Sequence, residues 1–294
     1  MSDAGRPDAA TIEPARPQPR SQTHSRTRRP DRIFAGYAFD LDGTVYLGDD
    51  LIPGADEAIA WLREAGSRVV FVTNKPLETA TGYAAKLTRL GIPARPSDVV
   101  TALDALVRYL RREHRGARLL LVSEPLVATT LTDAGFDVVE APADADVVVV
   151  SFDRTFDYGK LLAAYRAVNA GAVIVATNPD PYCPTPDGGL PDCAAILAAV
   201  EACTGARAEA IVGKPSVHMA DAVRDRLRLL PEDTAVVGDR LATDVMLSRS
   251  LGMAGILTLS GETGAVPSPD SPTRPDFVVA GLLELIPESV RRTQ

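Results

Sequence analysis

The stretch Phe39-Asp40-Leu41-Asp42-Gly43-Thr44 constrains this chain more than any other. It closes a mostly apolar run, Ile33 to Phe39, that reads as a buried strand. Alternation along a strand sends the side chains of Asp40 and Asp42 the same way and Leu41 elsewhere. Gly43 lets the backbone turn sharply where most residues resist. Two carboxylates at the end of a buried strand repel each other and cost stability unless a cation or a substrate compensates. Packing does not explain such a pair; chemistry does.

The chemistry can be stated from the residue types. A carboxylate can attack phosphorus to form an aspartyl-phosphate, splitting a hard transfer into two easier ones. A second carboxylate beside it can protonate the leaving oxygen and later accept a proton from the attacking water. A divalent ion must then sit between the carboxylates and the phosphate, and Mg²⁺ suits oxygen ligands of this kind. The rest of the chain should supply another metal carboxylate, phosphate donors and a cation.

The 294 residues suggest one or two domains, and 46% hydrophobic residues are enough for a sizeable core. No apolar run approaches the roughly 18 residues of a membrane span. The net charge of -8 argues against a general nucleic-acid binder. Residues 1–30 hold six Arg against three acids and almost no large apolar side chains, so they read as a disordered tail. The Arg26, Arg28 and Arg29 cluster reads as a solvated start region or as a polyanion-binding arm. The tail is too polar for a secretory signal, which places the protein in the cytoplasm. Cys183, Cys193 and Cys203 lie ten apart without metal spacing and read as small hydrophobes in a reducing compartment.

Downstream of Thr44, Val45 to Ile52 reads as a small hairpin turning at Gly48-Asp49, followed by a helix whose apolar stripe runs from Ala55 to Ala65. The next buried strand, Arg68 to Val72, ends in Thr73-Asn74. Their side chains are either phosphate donors at the carboxyl end of a strand or part of a helix cap. Between residues 80 and 208 helices and strands alternate, with strands expected at Arg118–Val122, Val147–Ser151 and Ala172–Ala176. That alternation implies a second α/β layer. Within it Asn178-Pro179-Asp180 and the Gly/Pro-rich segment from Pro184 to Pro191 follow a strand, and form either a substrate-facing loop or a long turn. Asp153, just past another strand end, is read the same two ways. Ala210-Ile211-Val212 then returns the chain to its first layer at Gly213-Lys214-Pro215. Lys214 is either a surface lysine or the cation that offsets phosphate charge. The strand Thr234 to Val237 ends in Gly238-Asp239, which supplies the missing metal carboxylate, and Asp244 lies near enough to reach the same site.

Asp40-x-Asp42-Gly43-Thr44, Thr73-Asn74, Gly213-Lys214-Pro215 and Gly238-Asp239-x4-Asp244 stand in the order of the four motifs of the haloacid dehalogenase-like (HAD) hydrolases. The chain resembles that superfamily over about residues 33–288. Val72-Thr73-Asn74-Lys75, Ala176 to Asp180 and Val237 to Asp244 make it similar to the type IIA subfamily of para-nitrophenylphosphatase-like, phosphoglycolate, pyridoxal and sugar-phosphate phosphatases. With 139 residues between Asn74 and Lys214, the resemblance implies an α/β cap over residues 80–208. The Rossmann-like, doubly wound parallel-sheet core would comprise residues 31–79 and 209–294.

Carried over by position, Asp40 is the nucleophile and Asp42 the general acid/base. Mg²⁺, the implied cofactor, is held by Asp40, the backbone carbonyl of Asp42, and Asp239. Thr73, Asn74, Lys214 and Gly43 bind the phosphoryl group, and Asp244 orients Lys214 or the metal's water. Many relatives carry Pro-Gly after the Asn-Pro-Asp loop, where this chain has Pro191-Asp192. The added carboxylate of Asp192 can accept from sugar hydroxyls, so Asp192, with Asn178, Asp180 and Asp153, forms the expected specificity set. The expected partner is a small phosphorylated metabolite, a sugar or polyol phosphate, with no nucleic acid and no membrane; a homodimer through the cap is the assembly the resemblance allows. Competing readings are a phosphoglycolate- or pyridoxal-phosphate-type phosphatase, a phosphotransferase or phosphomutase, and a non-catalytic binding protein.

Overall fold

Long apolar strands bounded by helices dominate the chain, and the computed structural model, which describes residues 27–185, 188–268 and 270–287, packs them as two parallel sheets. In chain order the elements are β1 (Gly36–Asp40), β2 (Tyr46–Leu47), β3 (Asp50–Leu51), α1 (Ala55–Glu64), β4 (Arg68–Thr73), α2 (Ala80–Arg89), β5 (Val99–Thr101) and α3 (Ala102–Glu113). Then come β6 (Arg118–Val122), α4 (Pro125–Asp133), β7 (Asp137–Val138), β8 (Val147–Val150), α5 (Tyr158–Asn169) and β9 (Val173–Ala176). They are followed by β10 (Tyr182–Thr185), β11 (Gly188–Pro191), α6 (Cys193–Thr204), β12 (Ala210–Ile211) and α7 (Val217–Leu227). The last are β13 (Thr234–Gly238), α8 (Met246–Leu251), β14 (Ala254–Thr258) and β15 (Phe277–Val279).

One sheet has six strands in the order β15-β14-β13-β1-β4-β5, the other five in the order β12-β9-β8-β6-β7. All pairings within both are parallel. Parallel strands must be covered on both faces, which explains why their side chains are apolar almost without alternation. In the six-stranded sheet, Tyr37, Phe39 and Phe71 pack under α1 and α2. On its other face Ala38, Val70 and Val236 meet Leu106 of α3, Met219 and Val223 of α7, and Leu247 of α8. That cluster continues into Leu119, Val147 and Val149, so one core joins the two sheets. The outer face of the five-stranded sheet is closed by Ala164 of α5 and by Ile196, Leu197 and Val200 of α6.

The pairing moves both junctions that the sequence suggests. Val99–Thr101 bonds to β4, so α2 and β5 complete the six-stranded sheet and the chain leaves it after Thr101 rather than at residue 80. Ala210–Ile211 bonds to β9, so the return falls at Val212-Gly213 rather than at residue 209. The Gly/Pro-rich stretch is an antiparallel hairpin, β10 with β11, rather than a loop. Arg28 and Arg29, expected within the disordered tail of residues 1–30, are instead bonded: the Arg28 carbonyl accepts from the Val278 N–H at 2.9 Å, and Arg29 pairs with Glu284. Residues 1–26 of that tail, Arg26 included, lie outside the described residues. Among those described, no helix is long and apolar enough to cross a membrane.

Candidate active site

Strands β1, β4 and β13 are neighbours and parallel, so their carboxyl ends present Asp40, Thr73 and Asp239 at one edge of the sheet. There Asp40, Asp239 and Asp244 each offer a carboxylate oxygen within 4.8 Å of the others, all three buried. Asp244 arrives on a single π-helical turn over Leu241–Val245, an irregularity frequent at functional sites. Lys214 reaches in from the segment after β12 and donates to Asp40 Oδ1 at 2.5 Å and to Asp244 Oδ1 at 2.7 Å. Burial alone would depress its ammonium, but Asp244 and Asp40 more than offset this and hold it above the ordinary lysine range. Burial, followed by the neighbouring Asp40 and Asp244, pushes the Asp239 carboxyl well up. Asp244 is raised mainly by burial, against the pull of Lys214.

Gly43 serves this cluster by shape. Its φ is +91°, and a Cβ there would stand 2.5 Å from Asp239 Oδ2. Gly43 was expected among the phosphate-binding residues; its N–H is donated to the Tyr46 carbonyl at 2.8 Å, which closes the turn. Asp42 faces the same space, with Oδ1 accepting from Lys75 Nζ at 3.0 Å. Thr73 Oγ1 accepts from the Lys75 N–H, which leaves the hydroxyl proton to donate.

Asn74 does more than present an amide. Its Oδ1 accepts from the Lys214 N–H at 2.7 Å, and its Nδ2 donates to Asp180 Oδ2 at 2.8 Å and to the Lys214 carbonyl. It thereby ties β4 to the lysine segment and to the second sheet, with both ends of the amide occupied. Asn178 continues the seam: its Nδ2 donates to the Asn74 carbonyl and its Oδ1 accepts from the Asp180 N–H. Asp192 is the N-cap of α6, taking the Cys193 N–H on Oδ1, and burial raises its carboxyl to about 6. Asp153 is not brought here. Thr155 and Lys160 bond to its carboxylate in an Asx turn between β8 and α5, and it is not among the residues that line the cavity described below.

A cavity of about 40 Å³ lies where these elements meet. Its floor is Asp40, Asp42, Thr73, Asn74 and Lys75, with Lys214, Arg240 and Thr243 beside them. Its roof, from the second sheet and the hairpin, is Asp180, Tyr182, Cys183, Pro184 and Asp192. Lys75 and Arg240 are the residues that sequence reasoning left without a role. Arg240 pairs with Asp180 at 3.0 Å and with Glu262 at 2.7 Å, and its guanidinium lies 5.4 Å from the centre of the Tyr182 ring. Each directly follows a motif residue, Asn74 or Asp239, and that adjacency was the available signal. Cys183, read as a small hydrophobe, is a buried free thiol on this wall.

The site is built for a divalent cation. Asp239 Oδ1, within the cluster of three carboxylates, is buried without a hydrogen-bond partner, and a buried anion left so is costly. Hard oxygen donors clustered beside an ammonium fit Mg²⁺ and a phosphoryl group better than they fit each other.

Comparison with known proteins gives the same picture. A haloacid dehalogenase-like hydrolase model matches residues 37–137 and a HAD-hydrolase-like model matches residues 211–285. The chain is 34% identical to Sugar-phosphatase AraL of Bacillus subtilis over 77% of its own length and 84% of that protein. It superposes on a 4-nitrophenylphosphatase from Thermotoga maritima with a TM-score of 0.78 and 34% identity, covering 86% of this chain and 96% of the other. A glycerol phosphate phosphatase from Mycobacterium tuberculosis, solved in complex with magnesium, gives a TM-score of 0.78 at 32% identity, over 88% of this chain and 78% of that one.

Proposed function

Because the chain belongs to the haloacid dehalogenase-like hydrolases, in their type IIA branch, we propose that it is a Mg²⁺-dependent phosphatase of small phosphate monoesters, acting on a sugar or polyol phosphate. The observation that carries this reading is the cluster of Asp40, Asp239 and Asp244 around Lys214, with Asp42 beside it. Asp40, the carbonyl of Asp42, and Asp239 would hold Mg²⁺, which when bound neutralises charge on the carboxylates and the phosphoryl oxygens. Asp40 attacks phosphorus and Asp42 gives the leaving oxygen its proton. Asp42 then takes a proton from the water that releases phosphate from Asp40. Lys214 and the Thr73 hydroxyl bind the transferring oxygens, and Asp244 fixes the Lys214 ammonium. Asn74 positions the Lys214 segment.

Charge accounting supports a neutral organic remainder. Lys75 is paired with Asp42, Arg240 with Asp180 and Glu262, and Lys214 with Asp40 and Asp244, so each cation that lines the cavity is already offset by carboxylates and none is left for a second anionic group. A second anionic group, as in phosphoglycolate, would meet Asp180 and Asp192. Hydroxyls instead find acceptors there: the contacts of Asp192 fall on Oδ1, which leaves Oδ2 for a hydroxyl. The five-stranded sheet and its hairpin act in this reading as the specificity cap. Three free thiols are in keeping with a cytoplasmic enzyme.

The test is phosphate release from a panel of p-nitrophenyl phosphate, sugar and polyol phosphates, phosphoglycolate and pyridoxal phosphate, with Mg²⁺ and with EDTA. The expected result is Mg²⁺-dependent release, best from a polyol or sugar phosphate, and a loss of about 10³-fold or more in Asp40→Asn. Preference for phosphoglycolate would overturn the substrate reading; undiminished turnover by Asp40→Asn would overturn the reaction.

A further inference from the structure

The two catalytic carboxylates do not share one cation. Lys214 holds Asp40, and Lys75 holds Asp42 Oδ1 at 3.0 Å, with side chains 21% and 11% exposed. The backbone of Lys75 is fixed on both sides: its N–H goes to Thr73 Oγ1 at 3.1 Å, and its carbonyl accepts from Tyr83 Oη of α2 at 2.8 Å. The ammonium thus reaches Asp42 from an anchored base. Asp42 Oδ2, by contrast, is buried and has no partner. One oxygen is pinned and the other is left for a reacting group.

We infer that Lys75 is a positioning residue for the proton-transfer steps: it fixes the Asp42 carboxyl so that Oδ2 meets the ester oxygen. This rests on the phosphatase reading above. In the first step an Asp40 oxygen bonds to phosphorus as the phosphorus–ester oxygen bond breaks, and that oxygen takes the proton from Asp42 Oδ2 and leaves as an alcohol. In the second, water bonds to phosphorus through its oxygen and gives a proton to Asp42 Oδ2. The phosphorus–Asp40 bond breaks, which restores the Asp40 carboxylate and releases phosphate. A carboxyl free to swing between rotamers would lose this alignment, and a misplacement of about 1 Å can cost on the order of 10²-fold. Loss of Lys75 should therefore matter in proportion to how much the leaving group needs the proton. An alkoxide needs it; p-nitrophenolate leaves as a stable anion.

The experiment measures kcat and KM for glycerol phosphate and p-nitrophenyl phosphate in Lys75→Met, Lys75→Gln and Lys75→Arg, each alone and combined with Asp42→Asn. The Met and Gln variants should lose about tenfold or more in kcat/KM on glycerol phosphate and within about twofold on the aryl ester, because kcat/KM reports the transfer to Asp40 and not the second step that both esters share. Lys75→Arg should restore much of the alkyl rate. In the Asp42→Asn background, Lys75→Met should cost nothing further on either ester. Equal losses of kcat/KM on both esters, or an additive loss on top of Asp42→Asn, would each overturn the assignment. A wild type that releases phosphate from neither ester would overturn the phosphatase reading itself, and the assignment with it.

Discussion

Asp40, Asp239 and Asp244 bring three carboxylates within 4.8 Å of one another around a single buried lysine, and the residues nearby are chosen to tolerate that. Gly43 is the clearest case, since it has both a left-handed φ and no room for a Cβ. Gly43→Ala should destabilise the protein by about 1–3 kcal/mol and lower kcat at least tenfold by displacing Asp239, measured by urea denaturation beside kinetics. Full activity in that variant would show that Asp239 has room to spare. Asp192 gives a pH prediction. Burial raises it to about 6 from an ordinary 3.8, so its contribution to stability is present below about pH 4 and lost as pH rises through about 6. Asn keeps the N-cap without the charge, so Asp192→Asn should add up to ~3 kcal/mol at about pH 7.5 and little near pH 4. A gain that is equal at both pH values would contradict this. The carboxylates were legible in the sequence because an acid at the end of an apolar strand violates packing. Lys75 and Arg240 were not, because a charged residue beside a motif looks like any solvated one until its partner, 33 or 60 positions away, is known.

At the scale of elements, the hairpin β10–β11 and the seam from Asn74 through Asp180 to Arg240 close the site. The cavity of about 40 Å³ is walled on one side by Tyr182, Cys183 and Pro184 of the hairpin, so an ester bound at Asp40 meets those residues. Arg240, 13% exposed, is the clasp between the two layers. Arg240→Met leaves Asp180 buried without its cation, which should cost about 2–4 kcal/mol in stability and raise KM for the ester more than it lowers kcat. Steady-state kinetics with unfolding curves would check this; unchanged KM would separate the clasp from substrate binding. Strands such as Arg118–Val122 were legible as apolar runs, and both the parallel layers followed from β/α alternation. The allegiance of β5 and β12 was not, because three residues and two residues of strand carry no sign of which sheet they will join.

Across the whole molecule, residues from Asp40 to Asp244 converge at the junction of two parallel sheets that share one hydrophobic core. The gap of 139 residues between Asn74 and Lys214 announced the second layer; its true borders depend on hydrogen-bond pairing that only the fold reveals. The uncompensated carboxylates predict that Mg²⁺ at millimolar concentration raises Tm and that EDTA reverses it, whereas Asp239→Asn should show a much smaller rise. In the proposed mechanism Asp40 carries the phosphoryl group during turnover. The most direct measurement is acid quenching during turnover of p-nitrophenyl phosphate, whose leaving group needs no proton from Asp42, in wild type and in Asp42→Asn, followed by mass analysis of the peptide that contains Phe39 to Thr44. A phosphoryl group on Asp40 that accumulates when Asp42 is replaced is the predicted result. Continued phosphate release with no label on Asp40 at any quench time would contradict it.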